Sequence, residues 1–188
     1  MKSCKLIAIP LSINEKLSRD DETDRVVASY YRILIGNLLY LIATRDLMFS
    51  ASMLSRFMHG PSQKHFRVTK RVLSYLRRTV GYGVWYSKEE SGDLQGNSDN
   101  EWAWSLDDSK STFGFVFSFG SSAFAWSSKK QEVVAQSTAE AEYIAVTSNQ
   151  AICSNDQVAD ILIKAPSRNR FEESRAKLGL FNKKLKEY

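Results

Sequence analysis

The sequence is poor in cysteine, proline and glycine, and it has no apolar run long enough to cross a membrane. Its two cysteines, Cys4 and Cys153, lie far apart and form neither a disulfide framework nor a zinc-ligand set, so we expect a reducing compartment. Nine glycines and three prolines among 188 residues exclude collagen-like and low-complexity chains. The longest apolar stretch, residues 33–43, is shorter than the roughly 20 residues that span a bilayer. We therefore expect no membrane segment and no secretory signal. The protein is expected to be intracellular, and whether it is cytoplasmic or nuclear stays open.

The charges are arranged in three blocks along the chain. Residues 1–90 carry a net formal charge of +7, residues 91–165 carry −6, and residues 166–188 carry +4. This order suits a protein that holds a polyanion beside a carboxylate metal site. Solvated faces of mixed charge produce the same order, and the charge alone favours that simpler interpretation.

Hydrophobic periodicity predicts helices in the first half of the chain and a mixture of strands and helices in the second. The expected helices in the first half are a mostly buried one at 29–44, a second at 47–58, and a third at 62–79 with Ser62 as its N-cap. The elements expected after them are strands at 84–86 and 94–98, a hairpin of 113–119 and 122–127, helices at 137–148 and 156–164, and an amphipathic stretch at 171–180.

The third predicted helix has one apolar and one cationic face, which indicates an amphipathic helix. Its cationic face carries Lys64, Arg67, Lys70, Arg71, Arg77 and Arg78. A solvated helix surface and a nucleic-acid-binding surface that contacts phosphates both fit this pattern. Because no acidic residue in the helix supplies the usual ion pairs four positions away, the pattern favours phosphate contact.

Three carboxylates lie next to apolar positions. Asp99 ends a predicted strand, and Glu142 and Asp160 lie on predicted helices among aliphatic neighbours. Acids beside apolar surface are costly unless they are paired or bind a metal, and three that converge would attract Mg²⁺. Their spacing alone is also typical of ordinary acids in a strand–helix protein, and it favours that alternative.

Five blocks of sequence resemble the C-terminal part of the Pol polyprotein of copia-type long-terminal-repeat retrotransposons. They follow one another in the order of that family and cover nearly all of residues 29–180. The blocks are YRILIGNLLYLIATRD (31–46), SRFMHGPSQKHFRVTKRVLSYLRRTVGYGVWY (55–86), GNSDNEWAWSLDDSKSTFGFVFSFG (96–120), WSSKKQEVVAQSTAEAEYIAV (126–146), and DQVADILIK with RFEESRAKLGL (156–164 and 170–180).

The resemblance implies a function for the three carboxylates. Asp99, Glu142 and Asp160 match catalytic acids of the family's ribonuclease H domain, which would bind two Mg²⁺ ions and hydrolyse the RNA of an RNA–DNA hybrid. Lys129 and Lys130 would contact phosphate, although a lysine pair at a hairpin end is more often only solvated. No small-molecule substrate is implied, and no oligomeric state is predicted.

The sequence also departs from the family pattern. The paired aspartates of the polymerase have no counterpart here, so we do not expect a polymerase. Cys153, Ser154 and Asn155 replace a long family segment that carries a further catalytic aspartate and about two strands. The first strand of the ribonuclease H sheet should then become an exposed edge, and the metal site should lack one ligand, unless Asp156 replaces it. We therefore expect weak hydrolysis or none.

The predicted fold class is α/β of the mixed α+β type. An N-terminal helical segment is followed by an incomplete ribonuclease H-like mixed sheet with flanking helices. The predicted units are a poorly ordered lead-in at 1–28, a helical tail of the reverse transcriptase at 29–86, a truncated ribonuclease H-like domain at 87–164, and a basic C-terminal tail at 165–188.

Three functions remain open at this point. The first is a retrotransposon remnant without robust activity, and the second is a residual Mg²⁺-dependent ribonuclease. The third is a non-catalytic nucleic-acid-binding module that uses the basic helix at 62–79.

Overall fold

A computed structural model describes residues 7–43, 45–86, 93–120, 122–149, 162–164 and 166–182. Within these residues the elements are α1 (Ala28–Leu41), α2 (Met48–Ser55), α3 (Gln63–Arg78), β1 (Tyr82–Val84), β2 (Leu94–Glu101), β3 (Thr112–Phe119), β4 (Ser122–Lys130), α4 (Thr138–Asn149), α5 (Arg168–Lys177) and β5 (Leu180–Asn182). The mixed α/β class is therefore confirmed, and it is compatible with a ribonuclease H-like fold. The helix predicted at 156–164 falls mostly outside the described residues.

Helix α3 begins where its sequence predicts. The hydroxyl of Ser62 accepts a hydrogen bond from the backbone N–H of His65, and the His65 ring accepts one from the backbone N–H of Ser62 at 3.0 Å. These two bonds form a capping box, which satisfies backbone donors that the helix itself leaves unpaired. Val68, Val72 and Tyr75 are buried on the apolar face, which confirms the predicted amphipathic pattern.

The first two helices differ from their predictions. Tyr31, Ile35 and Leu38 of α1 are buried, but Tyr30 and Tyr40 are 69% and 86% exposed, so the expectation of a mostly buried helix is wrong. Within the described residues, other elements cover only one side of α1. The apolar composition of the helix does not show which of its sides is covered. Helix α2 ends at residue 55 rather than 58 because the backbone turns into shorter-range hydrogen bonds over residues 56–58.

The larger sheet has the strand order β2-β3-β4, and both pairs are antiparallel. The predicted hairpin is confirmed: β3 and β4 are joined at Gly120, whose φ of 59° is a left-handed conformation that glycine adopts without steric cost. Among the described strands, β2 has a neighbour on one side only, so it is an edge strand there. The edge expected from the shortened segment at 153–155 stays a prediction, because that segment lies outside the described residues.

The smaller sheet joins two distant parts of the chain. Strand β1 begins two residues before the predicted strand at 84–86 and pairs with β5 from the C-terminal tail, in the register Tyr82↔Asn182 and Val84↔Leu180. The tail also forms helix α5 immediately before β5. A pairing between strands about 100 residues apart leaves no local signal in the sequence. The sequence therefore predicted a strand near β1 but not its pairing with β5.

The helices and the larger sheet share one hydrophobic core. Helix α2 lies against β4, and the Trp126 indole N–H donates a 3.0 Å hydrogen bond to the backbone oxygen of Ile42. Val116 of β3 belongs to this core, whereas the adjacent Phe115 lines a groove with Ile144 of α4 on the other side of the sheet. The helical segment therefore covers one face of the sheet and α4 covers the other.

Residues 7–27 form irregular structure along the helical segment. Leu11 and Leu17 are buried in the core, and Arg25 forms an isolated bridge with Ser62. The four predicted domain boundaries are not tested by this arrangement and stay a prediction. None of the helices in the described part of the chain is both long and apolar enough to span a bilayer.

Candidate acidic cleft and basic groove

The structure brings two of the three predicted carboxylates to one cleft. Asp99 lies on β2 and Glu142 lies on α4, and both line an open cleft of about 350 Å³. The rest of the lining comes from the same two elements: Ser98, Asn100, Ala139, Tyr143, Ala145 and Val146. Two residues 43 positions apart in the sequence thus line the same cleft. We name this site the acidic cleft.

Small residues on α4 position Glu142 near β2. Ala141 and Ala145 are almost completely buried, and their short side chains allow the helix to lie close to β2. The side-chain amide of Gln131 donates a 2.9 Å hydrogen bond to the backbone oxygen of Ala141, which ties the first turn of α4 to the end of β4. The adjacent position, Glu142, therefore faces the open side of the cleft, and its side chain is exposed.

The local environments of the two acids differ. Asp99 is half-buried, and one of its carboxylate oxygens accepts a 2.8 Å hydrogen bond from the backbone N–H of Asn100. That bond holds one oxygen near the backbone. Glu142 is solvent-exposed on α4, so its side chain can adjust its position across the cleft.

The third predicted acid, Asp160, and the alternative ligand Asp156 lie outside the described residues. Residues 162 and 163 lie on the sheet near Asp99. Leu162 and Ile163 are buried against Gly114, which is the register partner of Asp99 on β3. Among the described residues, no three histidine, cysteine, aspartate or glutamate side chains gather in a metal-binding group.

The cationic side chains of α3 lie partly in solvent and partly along a groove. Four of the six predicted residues have exposed side chains, namely Arg67, Lys70, Arg77 and Arg78. The other two, Lys64 and Arg71, are half-buried. The groove runs between α3 and the irregular segment at 7–15 and encloses about 470 Å³. Lys64, Arg67, Lys70 and Arg71 line it, together with Glu15 on the opposite wall. We name it the basic groove.

The two lysines at the end of β4 are engaged with nearby acids. Lys130 lies 2.6 Å from a carboxylate oxygen of Asp108 and Lys129 lies 3.6 Å from Glu132. Partial burial opposes ionisation of Asp108, but hydrogen bonds from Lys130 and Ser105 lower its pKa to about 2. The carboxylate therefore competes with any phosphate for Lys130. The predicted phosphate contacts of both lysines stay a prediction.

A buried ionic cluster was not predicted from the sequence. Asp46 accepts a hydrogen bond from the Tyr75 hydroxyl, and the Arg175 guanidinium lies 4.0 Å from Asp46 and stacks 4.1 Å from the ring centre of Tyr82. Burial raises the pKa of Asp46, while Tyr75 and Arg175 oppose that shift. The cluster joins α5 to the first half of the chain. The members of the cluster are far apart in the sequence. The signal that the sequence offers for the cluster is Asp46, an acid in an otherwise apolar stretch.

Comparison with known proteins extends the resemblance over most of the chain. The retrovirus-related Pol polyprotein from transposon RE2 of Arabidopsis thaliana is 39% identical over 159 residues, which is 82% of this chain and 11% of that protein. The corresponding polyprotein from transposon TNT 1-94 of Nicotiana tabacum is 35% identical over 155 residues, which is 78% of this chain and 12% of that protein. The chain belongs to the Pol family of copia-type retrotransposons.

The chain spans only about a tenth of the length of these Pol relatives. A shorter similar protein, the secreted RxLR effector protein 161 of Plasmopara viticola, is 37% identical over 119 residues, which is 62% of this chain and 84% of that protein. No family model matches the chain, and no solved structure matches it. The Pol assignment therefore rests on the sequence relatives.

Proposed function

We propose that this chain is a remnant of a copia-type Pol polyprotein and carries an incomplete ribonuclease H-like domain. The observation that supports this proposal is the meeting of Asp99 and Glu142 in the acidic cleft. Both residues match catalytic acids in the resemblance, and they come from different elements that the tertiary structure brings together. The ancestral activity would be the Mg²⁺-dependent hydrolysis of RNA in RNA–DNA hybrids.

The donor chemistry of the acidic cleft suits Mg²⁺. This ion is commonly held by one or two carboxylates, with water and substrate phosphate as its other ligands. Asp99 would offer its half-buried carboxylate and Glu142 its exposed one. When bound, Mg²⁺ would activate water and stabilise the leaving oxygen. The family segment that Cys153, Ser154 and Asn155 replace carries a further catalytic aspartate, and a site that lacks one of its carboxylates attracts cations less strongly, so we propose weak hydrolysis or none.

Cleavage of a labelled RNA–DNA hybrid in Mg²⁺ tests this proposal. The wild type is compared with Glu142→Gln and Asp99→Asn, which keep the shapes of the side chains but remove their charges. Glu140→Gln is the matched control because Glu140 lies on the same helix but outside the lining of the cleft. Residual activity that falls in both cleft variants and persists in the control supports a working metal site. Equal cleavage by all four proteins contradicts any role of the acidic cleft.

A second candidate function is nucleic-acid binding without catalysis, through the cationic face of α3. The observation that favours it is the set of four cations along the basic groove, none of which forms an ion pair with a carboxylate among the described residues. This candidate predicts binding that weakens steeply with salt and tolerates any sequence, because phosphates supply the contacts. Reversal of the charges on the cationic face of α3 should abolish binding, and Glu142→Gln should leave it unchanged. Binding that does not fall between low and moderate salt would contradict this function.

A further inference from the structure

Within the described residues, the side of α1 that other elements leave uncovered carries a row of uncharged residues. Ser29, Ile33, Gly36 and Tyr40 are all exposed, and their alternating spacing of four and three residues places them in one row along the helix. Ile33 is 62% exposed and Tyr40 is 86% exposed. Single apolar side chains in solvent are ordinary, but several that adjoin one another mark an interaction surface. We name this row the α1 stripe.

The α1 stripe is free of charge, although the half of the chain that contains it is strongly cationic. Residues 1–90 carry a net formal charge of +7, and α1 contains one charged residue, Arg32. The Nε–H of Arg32 donates a 3.0 Å hydrogen bond to the backbone oxygen of Met58, which draws the guanidinium towards the turn after α2. Two copies of a cationic protein repel each other, so an uncharged face is where they can approach.

Gly36 leaves a gap in the middle of the α1 stripe. A Cβ atom at this position would meet nothing within 4 Å, so the packing inside the protein does not require a glycine there. Glycine weakens the interior of a helix relative to alanine, and this glycine therefore has a cost without an internal reason. A position without a side chain offers space for a large side chain of a second helix.

The α1 stripe is complementary to itself when two copies of α1 lie antiparallel. With a two-fold axis between residues 34 and 35, Ile33 of one copy meets Gly36 of the other, and Tyr40 meets Ser29. Every layer then opposes a large side chain to a small one, and the two-fold axis repeats each contact. A parallel pair would instead oppose Gly36 to Gly36 and Tyr40 to Tyr40, which leaves a void in one layer and crowds another.

The residues beside the α1 stripe fit the same antiparallel arrangement. Tyr30, which is 69% exposed, meets the half-buried Leu39 of the other copy. Arg32 meets Asn37, whose amide oxygen can accept a hydrogen bond from the guanidinium. Like charges are therefore not placed directly opposite each other, and an apolar pair lies at each end of the contact.

We propose that the α1 stripe is a dimerisation surface, on which a second copy of this chain docks its own α1 in the antiparallel direction. The exposed parts of Tyr30, Ile33 and Tyr40 in both copies supply roughly 800 Å² of buried surface, and the flanking residues raise the total to about 1,000 Å². That area is near the lower limit of specific interfaces, so we expect a reversible dimer with a Kd of roughly 1–100 µM. The proposal depends on neither the acidic cleft nor the basic groove.

Sedimentation velocity of the full chain, between about 1 and about 200 µM, tests the proposal. The apparent mass of the wild type should rise with concentration from 21.4 kDa towards twice that value. Ile33→Glu should raise the Kd of the dimer at least about tenfold, because two isoleucine side chains lose their burial and two carboxylates enter the contact. Leu106→Glu makes the same change at a side chain that is 57% exposed between β2 and β3, and this matched control should leave the Kd unchanged.

Gly36→Lys tests the antiparallel register. In the monomer the new side chain enters open space, so circular dichroism should be unchanged and the Tm should not fall. In the dimer it takes the space of Ile33 from the other copy and should raise the Kd about tenfold. Ile33→Glu combined with Gly36→Lys opposes each new carboxylate to a new ammonium across the axis. The double variant should therefore dimerise at least about threefold more tightly than either single variant.

The possible failures lead to different conclusions. A wild-type chain that stays monomeric at the highest concentration would overturn the proposal and leave the α1 stripe to a different occupant. A dimer that Ile33→Glu does not weaken would place the interface elsewhere on the molecule and would also overturn it. Equal weakening by Ile33→Glu and Leu106→Glu would overturn it as well, because self-association would then follow net charge alone. A double variant no tighter than the single variants would overturn the antiparallel register. The cleavage and nucleic-acid-binding assays are independent of these outcomes.

Discussion

Gly114 lies at the point where the chain after Asp160 meets the sheet, and its replacement tests that contact. A Cβ atom at position 114 would lie 2.8 Å from the Cβ of Leu162 and 2.9 Å from the Cγ2 of Ile163. Neither of these atoms can move without a shift of the backbone or of a β-branched side chain. The peptide oxygen of Ser127, at 3.3 Å, limits movement on the other side.

We expect Gly114→Ala to lower the free energy of unfolding by about 2 kcal/mol, within the range of about 1–3 kcal/mol for an overfilled core. For a chain of this length that corresponds to a decrease in Tm of about 4–8 °C. Gly83→Ala is the matched control, because it also lies in a strand and a Cβ there meets nothing within 4 Å. Its Tm should change by no more than about 2 °C.

Thermal unfolding followed by circular dichroism measures both variants. Equal Tm values for Gly114→Ala and Gly83→Ala would refute the packing of Leu162 and Ile163 on β3. A decrease confined to Gly114→Ala would support that packing.

Two further predictions concern buried titratable side chains. Burial lowers the pKa of His65, with Asp21 opposing the shift, so protonation favours the unfolded state and the stability falls as the pH drops below about 6.5. Denaturant unfolding at pH 7 and pH 5 should show this loss in the wild type and in the exposed-site control His59→Gln, whereas His65→Gln should show little pH dependence. Arg175→Met removes the cation that pairs with Asp46, while Arg45 still acts on the same carboxyl, so the variant should cost at most about 3–5 kcal/mol of unfolding free energy. Adding Asp46→Asn should recover part of this loss, and a double variant no more stable than Arg175→Met would contradict the ionic explanation.

The local features of the fold follow closely from the sequence. The limits of α3 were predicted to within one residue from the capping serine, the apolar stripe and the glycine that follows the helix. This prediction succeeded because caps and periodicity act over only a few residues. The alternating aromatic residues of β3 and the turn at Gly120 likewise predicted the hairpin. These signals depend only on neighbours along the chain.

The position of the acidic cleft shows where sequence reasoning needed the resemblance. Spacing alone did not distinguish Asp99 and Glu142 from other acids, since a strand and a helix can be arranged in many ways. Matching to the Pol family singled out both residues, and the packing of α4 on β2 then brought them together. The small residues Ala141 and Ala145 made this close approach possible, but their role was visible only once the helix and strand were side by side.

The sequence by itself determined the types of α1 to α4 and of β1 to β4, the charged face of α3 and the membership of the Pol family, because each of these depends on local pattern or on whole-chain similarity. Only the tertiary structure decided that β1 pairs with β5, that the described elements cover one side of α1, and that Arg175 pairs with Asp46. It also decided that the segment at 7–15 turns a basic helix face into a groove. These features join residues far apart in the chain, and contacts of that kind form only when the complete core selects one arrangement among many compatible with the same local pattern.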